Sequence, residues 1–421
     1  MTIDHRSGEL ALTILDRDRS PLADTVVTVE QTRHAFAFGN IAFELVRLVG
    51  GPDPGSDLPS EGGAPDTALD LDTYARMWLD LFDTATLPFY WGRFEPRRGE
   101  PDTVRLMRAA DWLRARDVRR KGHPLVWHTV QPDWLMGLSL DEVERLLRER
   151  VRAIVGGFAG HIDAWDAINE AVIMPVFDNG PNAITPLARA RGRIHMVRLA
   201  FEEARRADPS ATLVLNDFDL SSAYECLIEG VLEAGIRVDA IGLQTHMHQG
   251  YRGEEWTMRM LDRFARYGLP LHLTETSLVS GELMPPDIVD LNDSQVAEWP
   301  STPEGEARQA DEIVRHYRTL VSHPAVHAIT YWGLTDAGAW LGAPVGLVRR
   351  DGTPKPAYDA LRALIRGEWW LPPTQLRTDP AGRVRVRGFR GDYRVAVAGG
   401  SATFAIEAGT PAATVTLGAA V

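Results

Sequence analysis

The chain has 421 residues, 44% hydrophobic and 24% charged, which supplies a sizeable core and excludes a disordered chain. Lys and Arg number 45 against 58 Asp and Glu, a formal net charge of −13; with no basic run to offset it, nucleic acid and anionic membrane surfaces are not expected partners. No stretch reaches the ~18 apolar residues of a membrane span, and the start MTIDHRSGEL lacks the basic-then-apolar order of a secretory signal, so a cytoplasmic location is expected.

From the amino terminus, residues 8–33 read as two strands, ELALTILD and TVVTVEQTR, joined by the turn-rich DRSPLAD. Eight short apolar runs then alternate with amphipathic stretches: HAFAFGN, TATLPFY, GHPLVWH, DAWDAIN, TLVLNDF, DAIGLQTH, LPLHLTE and HAITYWG. Segments such as DTVRLMRAADWLRARD and EGEARQADEIVRHYRTLV carry apolar residues at helical spacing. Strands alternating with helices predict an α/β fold, a parallel (β/α)8 barrel over residues 34–366 whose functional groups gather at the strand carboxyl ends. Residues 49–69 and 279–304 are expected to be long loops that either shape a site or are disordered. The tail, residues 367–421, alternates in GRVRVRGF, DYRVAVAG, ATFAIEAG and AATVTLG. Neither end holds enough strands to stand alone, so residues 1–33 and 367–421 are expected to pair as one small β-sandwich-like domain. The single cysteine, Cys226, cannot form an internal disulfide and reads as a packed helix residue in a reducing compartment.

Polar residues cluster where these strands run out: His123, Trp127 and His128; Asn169 and Glu170; Asn216 and Asp217; Gln244 and His246; Glu275; Trp332. A lone carboxylate after a strand is commonly a helix cap or a surface ion pair. Two of them, after the fourth and seventh strands, could instead act on a glycosidic bond, which needs a proton donor on one face and a carboxylate on the other. The histidines read alternatively as neutral core residues and the tryptophans as core packing. The same histidines could in principle ligate zinc, but no His pair stands at ligand spacing on a helix, so neither metal nor cofactor is expected.

The segments HAFAFG, WGRFEP, GHPLVWH, WDAINE, LNDF, IGLQTH, LTE, WGLTDAGAW and KPAY occur in the order of glycoside hydrolase family 10, the endo-β-1,4-xylanases, which the chain resembles over residues 34–360. The resemblance implies a retaining mechanism with Glu170 as general acid/base and Glu275 as nucleophile. It also implies that Asn169 holds the sugar 2-hydroxyl, that His123 and Trp127 line the subsite of the cleaved sugar, that Gln244 and His246 surround the nucleophile, and that Trp332 and Trp340 stack on pyranose faces. His128 belongs to the same set. A carbohydrate or glycoside is the expected partner.

The resemblance breaks on the glycone side. The family's Glu-Asn-x-x-Lys-Trp stretch is here Thr86-Leu87-Pro88-Phe89-Tyr90-Trp91, and Val130 stands where the family has Gln. Leu87, Tyr90 and Val130 are therefore expected to form an apolar wall beside Glu275 that disfavours xylan, since sugar hydroxyls buried against it would go unpaired. Ser277 also replaces the Asp that follows the nucleophile in the family's LTELD. A retaining β-glycosidase of altered glycone specificity, acting on a short oligosaccharide or a glycoside, is the leading reading. A non-catalytic carbohydrate-binding barrel and a transglycosylase are the alternatives. A retaining pair should hold its carboxyl groups ~5 to 5.5 Å apart.

Overall fold

The computed structural model describes residues 2–51, 69–294 and 296–419. Strands β1 (Ser7–Leu15) and β2 (Val26–His34) come first. They are followed by β3 (Ala37–Ile41), β4 (Thr84–Pro88), β5 (Arg119–His123), β6 (Ala164–Asn169), β7 (Thr212–Asp217), β8 (Ala240–Met247), β9 (Leu271–Leu278) and β10 (Val326–Tyr331). The last eight close into a barrel in the order β10-β3-β4-β5-β6-β7-β8-β9, with every neighbouring pair parallel.

The connecting helices follow from their sequences. Ser139 accepts a hydrogen bond from the Glu142 amide and starts helix Leu140–Gly157, which buries Val143, Leu147, Val151, Ile154 and Val155 along one stripe. Thr302 caps helix Pro303–Ser322 in the same way, with proline in its first turn, where no amide donor is lost. Cys226 sits on helix Ser222–Glu233 but is exposed, not packed. Most of the first expected long loop, residues 52–68, lies outside the described residues.

One barrel strand departs from the sequence reading. Hydrophobicity places the third strand in GHPLVWH, yet the ladder runs through Arg119–His123, and Leu125 and Val126 are core residues beyond its end. The strand accommodates its cations because they are paired: Arg120 with Asp163 at 2.9 Å and Lys121 with Asp166 at 2.8 Å.

The tail supplies β11 (Thr374–Arg377), β12 (Arg383–Phe389), β13 (Gly391–Val397), β14 (Gly400–Ile406), β15 (Ala412–Thr416) and β16 (Gly418–Ala419). β1 lies between β12 and β15, and β2 pairs with β11 and β13. The two sheets enclose a second core in which Leu10, Leu12 and Ile14 of β1 meet Val384, Val386, Tyr393 and Phe404. Alternate residues of β1 point inward, as a half-buried strand requires. At ~1.5 to 3 kcal/mol per buried aliphatic side chain, this core ties the two chain ends together.

Candidate active site

Glu170 follows β6 directly and holds a left-handed backbone, with φ 57°, a conformation a non-glycine residue keeps only when its surroundings enforce it. Its Oε2 accepts a hydrogen bond from Trp127 Nε1 at 2.8 Å, and its Oε1 accepts from Asn169 Nδ2 at 3.1 Å and Gln244 Nε2 at 3.4 Å. Burial raises its pKa to about 8; the charges of Glu275 and Asp217 push the same way, against the Trp127 hydrogen bond.

Glu275, on β9, has the opposite environment. Burial alone would raise its pKa, but the nearby His123 and the hydrogen bond from His246 outweigh that and hold it below the ordinary carboxylate value. His246 Nε2 lies 3.1 Å from Oε2, Asn216 Nδ2 3.0 Å from Oε1, and His123 Nε2 3.8 Å from Oε1. Asn169 Oδ1 accepts from both Asn216, at 2.7 Å, and Gln244, at 3.0 Å. One amide network therefore spans from one glutamate to the other. Ser277 Oγ sits 2.9 Å from His246 Nδ1, so this imidazole is oriented by a neutral group.

Of two further contributors, the sequence reading names Asn216 without giving it a role and misses Asp166. Asn216 bridges Asn169 and Glu275, and Asp166, fully buried, lies 2.8 Å from both Lys121 Nζ and His123 Nδ1. The charge of Lys121 and the hydrogen bond from His123 overcome burial and keep Asp166 below its usual pKa. A signal existed: an aspartate inside the apolar run DAWDAIN has to be paired if it is buried.

The expected wall needs correction. Leu87 is fully buried in the barrel core and Pro88 stands on the cleft instead, because side chains alternate across a strand and β4 turns Leu87 away. Val130 does line the cleft, in a left-handed backbone with φ 46° that is unusual for a β-branched residue. Its carbonyl accepts from the Gly92 amide at 2.7 Å. A Cβ on Gly92 would stand 2.9 Å from that oxygen, so the close approach requires glycine. Tyr90 also lines the cleft, its ring 5.5 Å from His123, 5.6 Å from Trp127 and 6.0 Å from Phe43. Burial and then the charge of Glu275 push its phenol well above the usual value, so it stays protonated and is a hydrogen-bond donor rather than purely apolar wall.

His128 lines the cleft but is a buried, neutral histidine. Neither ring nitrogen has a partner, Phe177 packs 4.3 Å away, and burial lowers its pKa to about 3. Trp332 stands edge-on to His123 at 5.2 Å, and Trp340 lies 5.3 Å from His246. The loop carrying both tryptophans is anchored by Lys355 of the KPAY segment, whose buried ammonium reaches Asp336 at 2.7 Å and Ser280 Oγ at 2.8 Å. Lys355→Met leaves Asp336 buried without its cation; urea unfolding should show a loss of ~3 to 5 kcal/mol. An unchanged midpoint would show that the pair does not hold this loop.

These residues surround a cleft of about 980 Å³ at the carboxyl ends of the barrel strands, at the upper end for a small-molecule site. A parallel (β/α)8 barrel with two carboxylates of opposed pKa in its mouth has the arrangement that proton transfer at strand ends requires. Comparison with known proteins gives the family: the Glycosyl hydrolase family 10 profile matches residues 87–364, and the chain belongs to that family. Endo-1,4-beta-xylanase B of Thermotoga neapolitana is 29% identical over 291 residues, covering 65% of this chain and 78% of that protein. The anti-sigma-I factor RsgI6 of Acetivibrio thermocellus is 25% identical over 93% of this chain, which spans 45% of that longer protein. Among solved structures, xylanase 10B from Thermotoga petrophila in complex with xylobiose superposes with a TM-score of 0.62 at 22% identity, covering 79% of this chain and 95% of that one. The chain is thus a glycoside hydrolase by family, and no helix among its described residues is long and apolar enough to cross a membrane.

Proposed function

We propose that this protein is a retaining β-glycosidase acting on a short oligosaccharide or a glycoside whose glycone differs from that of xylan. The observation that carries the reading is the divergence of two carboxyl groups in one cleft, Glu170 pushed up to about 8 and Glu275 held below its ordinary value. At neutral pH Glu170 holds a proton and Glu275 does not. Glu275 attacks the anomeric carbon, the bond to the leaving oxygen breaks, and that oxygen takes the proton of Glu170. Glu170, now ionised, removes a proton from water, which attacks the same carbon and releases Glu275. Asn169, Gln244 and His246 hold the two carboxyl groups in place, and Trp332 and Trp340 offer ring faces to the sugar. Tyr90 and Val130 support altered specificity, as they replace polar groups that the resemblance places on the glycone side.

A screen of aryl β-glycosides differing only in the sugar tests the proposal. One sugar should be released at a rate that Glu275→Ala abolishes, whereas failure on every sugar would favour a non-catalytic binding barrel. The pH profile of the best substrate is expected to rise only at acid pH as Glu275 ionises, stay level through neutrality, and fall near pH 8 as Glu170 loses its proton. Glu170→Gln should remove the alkaline fall with an activated leaving group. An alkaline limb that survives this substitution would assign it to another residue.

A further inference from the structure

Resting on the glycosidase reading, we infer that the leaving-group half of the cleft takes an apolar aglycone rather than a further sugar. Eight large hydrophobic side chains are exposed among the described residues, and five of them, Val176, Phe218, Leu283, Val289 and Val296, stand on the loops after β6, β7 and β9. Scattered exposed hydrophobics are ordinary, but a concentration beside a cleft marks a binding surface. The loop after β6 follows Glu170 directly, and Asn179 on it reaches Asp290, next to Val289 on the loop after β9, which draws both loops to the side where the proton is delivered. Ile173, Phe177, Phe218, Leu220, Trp256 and Val289 line that half of the cleft, with Phe218 49% and Val289 98% exposed.

Several polar groups of the same half are already bonded within the protein. Asn179 Nδ2 donates to Asp290 at 3.1 Å, linking the loops after β6 and β9 across the mouth. Asp290 also accepts from the Asn292 amide and side chain, both at 2.9 Å. Gln249 Nε2 donates to the carbonyls of Pro285 and Ile288, at 2.9 and 2.8 Å. A sugar there would have to displace these bonds to satisfy its hydroxyls, whereas an apolar body would cover surface now facing water without breaking any.

Methyl and hexyl β-glycosides of every sugar in the aryl glycoside screen test this, because their alkoxide leaving groups have nearly the same basicity and differ in apolar reach. Cleavage is measured on the intact protein, and binding on the Glu275→Gln protein by titration calorimetry. The hexyl compound should show kcat/KM and affinity ~10- to 100-fold above the methyl compound, the gain expected from burying about half of the added methylenes. Phe218→Ser or, on a separate loop, Val289→Ser should reduce that ratio severalfold. Equal cleavage of both alkyl glycosides would overturn the inference and leave the glycosidase reading intact. Preferential hexyl binding that either serine variant weakens, without cleavage of any compound, would uphold the inference and overturn that reading. Neither preference nor cleavage would overturn both.

Discussion

Glu275→Ala should lower kcat on an aryl β-glycoside by at least ~10⁴-fold, since the variant lacks the carboxylate proposed to form the covalent intermediate. The expectation rests on the position of Glu275, held ionised by His123 at 3.8 Å and the hydrogen bond of His246 at 3.1 Å, with Asn216 donating to it at 3.0 Å. Azide added to this variant should enter the space left by the carboxylate and give the α-glycosyl azide. Glu170→Ala has a different signature. An aryl leaving group departs without protonation, so the intermediate forms and accumulates, and the loss of ~10² to 10⁴-fold falls on its hydrolysis. Azide should then give the β-glycosyl azide. Both variants yielding the same anomer would contradict the division of roles between the two glutamates.

Xylohexaose should be turned over several orders of magnitude more slowly than the protein's preferred glycoside, because each lost hydrogen bond to a buried hydroxyl costs ~1 to 3 kcal/mol. Tyr90 and Val130 stand on the cleft wall, so Tyr90→Lys combined with Val130→Gln should raise xylohexaose cleavage at least tenfold. Leu87→Asn should not help. Its amide would enter an apolar core with no partner and cost ~2 to 5 kcal/mol of stability. Xylohexaose cleaved by the unaltered protein as fast as the best small glycoside would return it to xylan degradation.

Leu87 also shows where sequence reading reaches its limit. The motif alignment correctly placed Glu170, Glu275, His123, Trp127, Asn169, Gln244, His246, Trp332 and Trp340 around one cleft, because strand ends of a parallel barrel converge on one mouth. It could not say which face of β4 each residue occupies; the pleat turns Pro88 to the cleft and Leu87 to the opposite, packed face, and shifting the register by one residue exchanges them. The third strand was misread for a related reason. Hydrophobicity selects Leu125 and Val126, but Arg119–His123 forms the ladder because Arg120 and Lys121 find carboxylates contributed by residues 163 and 166. Pairings between distant residues are invisible to a local pattern. The same holds for Asn216, whose value lies in touching both Asn169 and Glu275. The aromatic character of Tyr90 was legible, whereas the donor role of its hydroxyl emerged only from its position near both glutamates.

The central claim is that Glu275 forms a covalent glycosyl-enzyme which water, activated by Glu170, then opens. Proton NMR of the first sugar released from the preferred β-glycoside, recorded before mutarotation, tests it most directly. The account predicts that the β-anomer appears first and the α-anomer only later by equilibration, whereas initial release of the α-anomer would contradict it.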